Sequence, residues 1–258
     1  MKRGIPVAWQ KLAFQKRAWQ KLAWRNLNRM VTGGVLALIV TFGTSSLNAD
    51  QGSAHQGSAH QSPAHQSPTL LVMGDSLSAA YGIEQEQGWV ALLEKRLEGH
   101  ATVVNASISG ETTSGGAQRF ADIIGQRQPD IVLLELGGND GLRGLAPNQM
   151  RANLARMIEQ SQQADADVLL LGIDIPPNYG QAYRDAFTGV FDSLADEYDI
   201  PLVPFLLEDI ALNNQLMQSD GIHPTAEAQP IILENVWPAL EPLLSEHASE
   251  QELQALAQ

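Results

Sequence analysis

The chain has 258 residues and a formal net charge of −13. All 29 acidic residues lie from Asp50 onward beside only eight basic ones, so residues 50–258 carry −21, which repels phosphate backbones and argues against nucleic acid as a partner. There is no cysteine, which excludes disulfides, thiolate catalysis and cysteine-ligated zinc.

Residues 1–49 begin with the other eight Lys and Arg, all within 1–30, followed by an apolar stretch at 31–42 and the small-residue site Leu47-Asn48-Ala49. The stretch is shorter than the ~20 residues a spanning helix needs. The pattern predicts a secretory signal peptide cut after Ala49, delivering the protein to the periplasm or beyond. An uncleaved leader would instead anchor it to the inner membrane. Trp9-Gln10-Lys11-Leu12-Ala13 recurs at 19–23. That repeat reads as a segment lying on an anionic membrane, as an extended n-region, or as sequence upstream of a start at Met30. Residues 50–68 repeat a Gln-Gly-Ser-Ala-His pentad and form a flexible linker, too small and polar to build a core. His55, His60 and His65 in it have no fixed geometry for a metal, and none is expected.

Residues 69–245 form the folded domain, and 246–258 an acidic tail expected to fray. Short apolar runs predict strands at 70–73, 102–105, 131–136, 168–173 and 202–203. Longer amphipathic runs predict helices at 89–97, 115–126, 147–163, 181–198 and 226–244. Strands alternating with such helices mean βαβ units, hence an α/β fold with a parallel sheet covered on both faces.

Candidate chemistry sits at the predicted strand ends, where α/β folds bind ligands. Ser76, in Gly74-Asp75-Ser76-Leu77-Ser78 after the first strand, is a candidate nucleophile. His223, in Asp220-Gly221-Ile222-His223-Pro224, is a candidate general base, and Asp220 three residues earlier can orient its ring. Asn139, in Leu136-Gly137-Gly138-Asn139-Asp140-Gly141, can donate to an oxyanion, as can the Gly110 N–H. Taken singly, each has a plain reading: a helix cap at Ser76, an Asp-Gly turn at 220–221, glycine-rich loops at 137–141 and 107–112.

Together the blocks GDSLS, NASISGET, ELGGNDGLRG and DGIHP span residues 74–224 in a fixed order. In them the chain resembles the SGNH (GDSL) hydrolase family, and its wording is most similar to the bacterial periplasmic thioesterase/protease/lysophospholipase subgroup and nearby arylesterases. The resemblance implies a three-layer α/β/α sandwich with a five-stranded parallel sheet of flavodoxin-like type. It implies a Ser76, His223, Asp220 triad and an oxyanion hole of Ser76 N–H, Gly110 N–H and the Asn139 amide, with no cofactor. Asp75, Leu77, Ser109, Asp140, Tyr179 and Ile222 are the expected substrate contacts, and loops 139–145 and 176–183 are expected to line an acyl groove. Arg143 either meets an anionic substrate group or is a surface charge. Glu135, a carboxylate inside an apparently buried strand, has no assignment. The implied partner is a small-molecule acyl ester, thioester or lysophospholipid, with transient membrane contact by a monomer. Two other readings stay open: an acetyl esterase acting on carbohydrate, and a non-catalytic lipid-binding module.

Overall fold

The computed structural model describes residues 67–247. The leader, most of the linker and the end of the acidic tail lie outside the described residues. Five strands, β1 (Thr69–Gly74), β2 (Thr102–Asn105), β3 (Ile131–Glu135), β4 (Asp167–Leu171) and β5 (Leu202–Val203), form one sheet. Its order is β2-β1-β3-β4-β5 and every pairing is parallel. Successive residues of Leu70–Met73 and of Ile131–Leu134 are all fully buried. Since neighbouring side chains on a strand point to opposite faces, both faces of the sheet are covered.

The helices are α1 (Trp89–Arg96), α2 (Thr113–Arg127), α3 (Gly138–Leu142), α4 (Pro147–Gln163), α5 (Gln181–Tyr198) and α6 (Gln229–His247). α1 packs on α6, whereas α2, α4 and α5 pack in a row, which makes the three layers. Trp89, Phe120, Phe187 and Phe191 are the largest side chains sealed between helices and sheet.

Three elements differ from the sequence reading. The glycine-rich stretch expected as a loop contains the short helix α3. Gly137 turns into it at φ 129°, and the Asp140 carboxylate ties it to α2 by accepting from Thr113 N and Oγ1 (2.8 and 2.6 Å). α2 starts two residues early because the Thr112 hydroxyl caps it, accepting from Gly115 N. The predicted last helix divides into a 3-10 turn, Ala226–Ala228, and α6, which runs into the expected tail as far as His247. There His247 Nε2 meets Asp167 Oδ2 at 2.9 Å and fixes the end.

The order 2-1-3-4-5 has a topological switch point between β1 and β3, the place where doubly wound sheets open a crevice. The turn after β1 holds Ser76, and the short helix α3 that follows β3 holds Asn139. Close packing of α3 keeps this crevice in shape: a Cβ on Gly141 would lie 2.5 Å from Ile175 Cγ2 and 2.8 Å from the buried Phe187 ring. Gly141→Ala is therefore expected to lower stability by about 1–3 kcal/mol through overpacking. A denaturant midpoint equal to that of the wild type would contradict this.

Candidate active site

The nucleophile turn is held from below. β1 ends at Gly74, where a Cβ would lie 2.7 Å from Glu135 Oε2 and 2.8 Å from Ser78. Only glycine lets the two strands approach this closely. Glu135 Oε2 accepts from Asp75 N (3.1 Å) and from Ser78 Oγ (2.8 Å). The unassigned carboxylate of the sequence is thus the floor of the Ser76 turn. β2 contributes Asn105, whose Nδ2 donates to Ser78 O (2.8 Å) while its Oδ1 accepts from Ser107 N (3.0 Å).

Within the turn, Asp75 Oδ1 accepts from Leu77 N (3.1 Å) and Oδ2 accepts from Asn139 Nδ2 (3.0 Å). One N–H of the Asn139 amide is therefore pinned, which orients the other. Burial pushes the Asp75 carboxyl up from 3.8 to about 6, against the opposing pull of the Leu77 N–H, the Asn139 amide and the His223 charge; the Asp140 charge adds to the rise. Burial also holds Glu135 well above the usual carboxylate range, and the neighbouring Asp75 charge pushes the same way.

The partner loop is built on Asp220. Its Oδ1 accepts from Ile222 N (2.9 Å) and His223 N (3.0 Å), closing a tight turn in which Gly221 has φ 67°. Its Oδ2 lies 2.7 Å from His223 Nδ1. Burial alone raises the Asp220 carboxyl, but the His223 ring, the two backbone N–H groups and the His223 charge outweigh it and hold the group at about 2. His223 Nε2 then lies 3.0 Å from Ser76 Oγ. The Tyr81 ring packs on the imidazole with centroids 4.3 Å apart. Gln218 Nε2 donates to Tyr81 O (2.8 Å) and Pro224 O (3.0 Å), joining the histidine loop to the segment after Ser76.

Ser76, His223, Asp75, Leu77, Asn139 and Ile222 open onto a groove of about 540 Å³. It runs along the carboxyl edge of the sheet, from β1 past β3 to the ends of β4 and β5. Its other walls are mainly apolar, with Leu142, Ile173, Ile175, Pro176 and Pro177 from the segments after β3 and β4, and Phe205, Leu207, Ala211, Leu212 and Met217 from the segment after β5. Among the lining residues the Asp174–Arg184 ion pair is the one salt bridge remote from the histidine loop.

Several expectations need correction. Ser109, Asp140 and Tyr179, expected as substrate contacts, and Gly110, expected in the oxyanion hole, are not among the residues that line the groove. Asp140 is buried and spends its carboxylate on Thr113. Tyr179 Oη donates to Leu142 O (2.7 Å) and so braces the wall from behind. Ser109 is exposed. Of the two loops expected to line the groove, only Asn139, Leu142, Pro176 and Pro177 do so. The Arg143 guanidinium donates to Gly110 O (3.0 Å), joining the turns after β2 and β3 rather than reaching the groove. Asp75 lines the groove, but both its oxygens are engaged within the site. From sequence, the wall after β4 was reached only at Pro176 and Pro177; residues 173–175 and the wall after β5 had no assignment, although the rule that ligands bind at strand carboxyl ends points to both.

A serine, an imidazole and a carboxylate in hydrogen-bonded series beside an amide donor are the parts of a serine hydrolase. The match to known proteins agrees. The model of the GDSL-like lipase/acylhydrolase family matches residues 72–230, and the chain belongs to that family. It is 54% identical over 179 residues to "Esterase TesA" of Pseudomonas aeruginosa, covering 68% of this chain and 89% of that protein. It is 45% identical to "Thioesterase 1/protease 1/lysophospholipase L1" of Escherichia coli, covering 69% and 85%. The crystal structure of TesA superposes with a TM-score of 0.66 over 68% of this chain and 99% of that one. That of the psychrotrophic esterase EstA from Pseudoalteromonas, inhibited by monoethylphosphonate, is 41% identical and also gives 0.66, over 69% and 99%. The chain is an enzyme that hydrolyses ester bonds.

The raised carboxylates carry a pH consequence. A group whose folded pKa lies above its unfolded value adds stability at low pH and loses it as pH rises through the folded pKa. Asp75 and Glu135 therefore make stability fall as pH rises from about 4 through 6 and beyond. Asp220 is shifted downward, so its contribution is lost only below its ordinary value of 3.8, outside that window. Glu135→Gln, which keeps the acceptor and removes the charge, is expected to flatten the decline in denaturant midpoint between pH 5 and 8. A slope equal to that of the wild type would contradict the assignment.

Proposed function

We propose that this esterase hydrolyses acyl thioesters, lysophospholipids and aryl or short-chain esters through an acyl-Ser76 intermediate. The observation that carries this reading is the Asp220–His223–Ser76 series, at 2.7 and 3.0 Å, opening on a groove lined mostly by apolar side chains. The Ser76 oxygen attacks the acyl carbonyl as His223 Nε2 takes its proton. The tetrahedral oxyanion is received by the Ser76 and Gly110 N–H groups and by the free N–H of Asn139 Nδ2, the other being held by Asp75. His223 returns the proton to the leaving thiol or alcohol. Water, deprotonated by the same ring, then attacks the acyl carbonyl, and the ring returns that proton to Ser76 Oγ as the acid leaves. Asp220 keeps the ring in the tautomer this needs and stabilises it when charged.

The acyl chain lies along the groove toward β4 and β5. An acetyl group would leave most of that groove empty, which favours acyl substrates over acetylated carbohydrate. The relatives named as thioesterase and lysophospholipase support the same substrate class. The basic, apolar leader supports export to the periplasm, where the acidic domain works as a monomer on small acyl substrates.

Ser76→Ala is expected to lower kcat by about 10³-fold or more, with acyl binding retained. Asn139→Ala should lower kcat by roughly 10²–10³-fold. Both are read on a panel of p-nitrophenyl esters, palmitoyl-CoA, a lysophospholipid and acetylated xylan. Near wild-type turnover by Ser76→Ala would end the mechanism; activity confined to acetylated xylan would end the substrate assignment.

A further inference from the structure

The described residues include five large hydrophobic side chains that are exposed: Tyr81 (50%), Ile108 (50%), Leu145 (42%), Leu212 (100%) and Ile222 (40%). All five lie on loops at the carboxyl edge of the sheet, the edge at which the groove opens. Tyr81 packs on the His223 ring, and Ile222 is the residue before His223. Leu212 and Ile222 both line the groove and face solvent, so the apolar wall continues outward onto the surface. Ile108 N donates to Gly74 O (3.1 Å), which places it against the turn that carries Ser76. Leu145 N donates to Asp140 O and its carbonyl accepts from Tyr183 Oη, which ties it to α3, whose Asn139 and Leu142 line the groove. The loops at the other edge of the sheet, at 98–101, 128–130, 164–166 and 199–201, expose none. Single exposed hydrophobics are ordinary, but their gathering at one mouth marks an interaction surface.

We infer that this rim docks on a zwitterionic lipid surface, a micelle or bilayer of phosphocholine type, and passes an acyl chain directly from it into the groove. The inference rests on the acyl-chain reading of the groove. The charge of the domain selects this occupant. Residues 50–258 carry −21, so a second copy and an anionic bilayer are both repelled, whereas a zwitterionic surface is not. Glu208 and Asp209, just before Leu212, and Asp220, just before Ile222, sharpen that discrimination at the rim itself. Partitioning then depends on buried apolar area and little on salt.

The test uses the full chain, purified as the expressing cell delivers it and carrying Ser76→Ala so that lipid stays intact. It is floated with phosphatidylcholine vesicles. The Ile108→Ser/Leu145→Ser pair changes two rim residues that do not line the groove, and Leu212→Asp changes the most exposed one. Each is expected to lower vesicle partitioning by about tenfold or more. With Ser76 restored, the double variant should hydrolyse p-nitrophenyl butyrate at the wild-type rate yet lose the rise in lysophosphatidylcholine turnover above the micelle-forming concentration. Partitioning unchanged by both variants would overturn the inference. So would a concentration-dependent dimer that the variants abolish, since a second copy would then cover the rim. Flotation reads no chemistry: retained flotation with no long-acyl turnover would remove the proposed substrate class and leave the rim standing.

Discussion

The contact between Ser76 Oγ and His223 Nε2 joins residues 147 apart in the chain, and the rest of the site serves to keep it at 3.0 Å. Neither residue lies in a regular element. Ser76 is in a turn just past β1, and His223 is in a loop whose nearest α-helix begins six residues later. Each is therefore stiffened locally. The Ser76 turn is held by Glu135 from β3 and Asn105 from β2. The His223 loop is held by both oxygens of Asp220, one making the turn and the other the ring contact. Gln218 then joins the loop to Tyr81 O, so the two halves are bound to each other as well as to the scaffold. Loops that carry function are commonly placed in this way by a rigid sheet beneath them.

That arrangement accepts a cost under the nucleophile. Two carboxylates, Asp75 and Glu135, sit at 2% and 1% exposure with raised pKa values. Burying an acid is unfavourable unless its lone pairs are used. Here they accept from Asp75 N, Ser78 Oγ, Leu77 N and Asn139 Nδ2, so the polar network that weakens the fold at higher pH also orients the oxyanion donor. Stability and preorganisation are traded at the same atoms, as is common where strained or buried polar groups cluster at functional sites.

Much of this was legible in the sequence for physical reasons. The strands of a parallel sheet read as continuous apolar runs, and all five were found to within two residues at either end. Ser76, Asn139, Asp220 and His223 stood out because each lies in a motif of turn residues at a strand end or in a loop. What escaped depended on contacts between distant segments. Glycine has low helix propensity, so 138–142 read as a loop, yet the Asp140–Thr113 bonds make it helical. Asp140 was expected as a substrate contact from the resemblance alone; one residue further round a helical turn than Asn139, it points to the interior and bonds Thr113. Glu135 had no assignment, since its partners Asp75 and Ser78 both come from the turn after β1, some sixty residues away in the chain. The walls after β4 and β5 have no motif, only position.

Every proposed step at this site passes through a covalent acyl-Ser76 intermediate. The most direct measurement is intact-protein and peptide mass spectrometry after rapid acid quench of the enzyme turning over a p-nitrophenyl ester. The expected result is a mass increase of one acyl group on the peptide containing Ser76, rising within the burst of p-nitrophenol and absent from His223→Ala. An acyl group on another residue, or turnover with no acylated protein at any quench time, would contradict it.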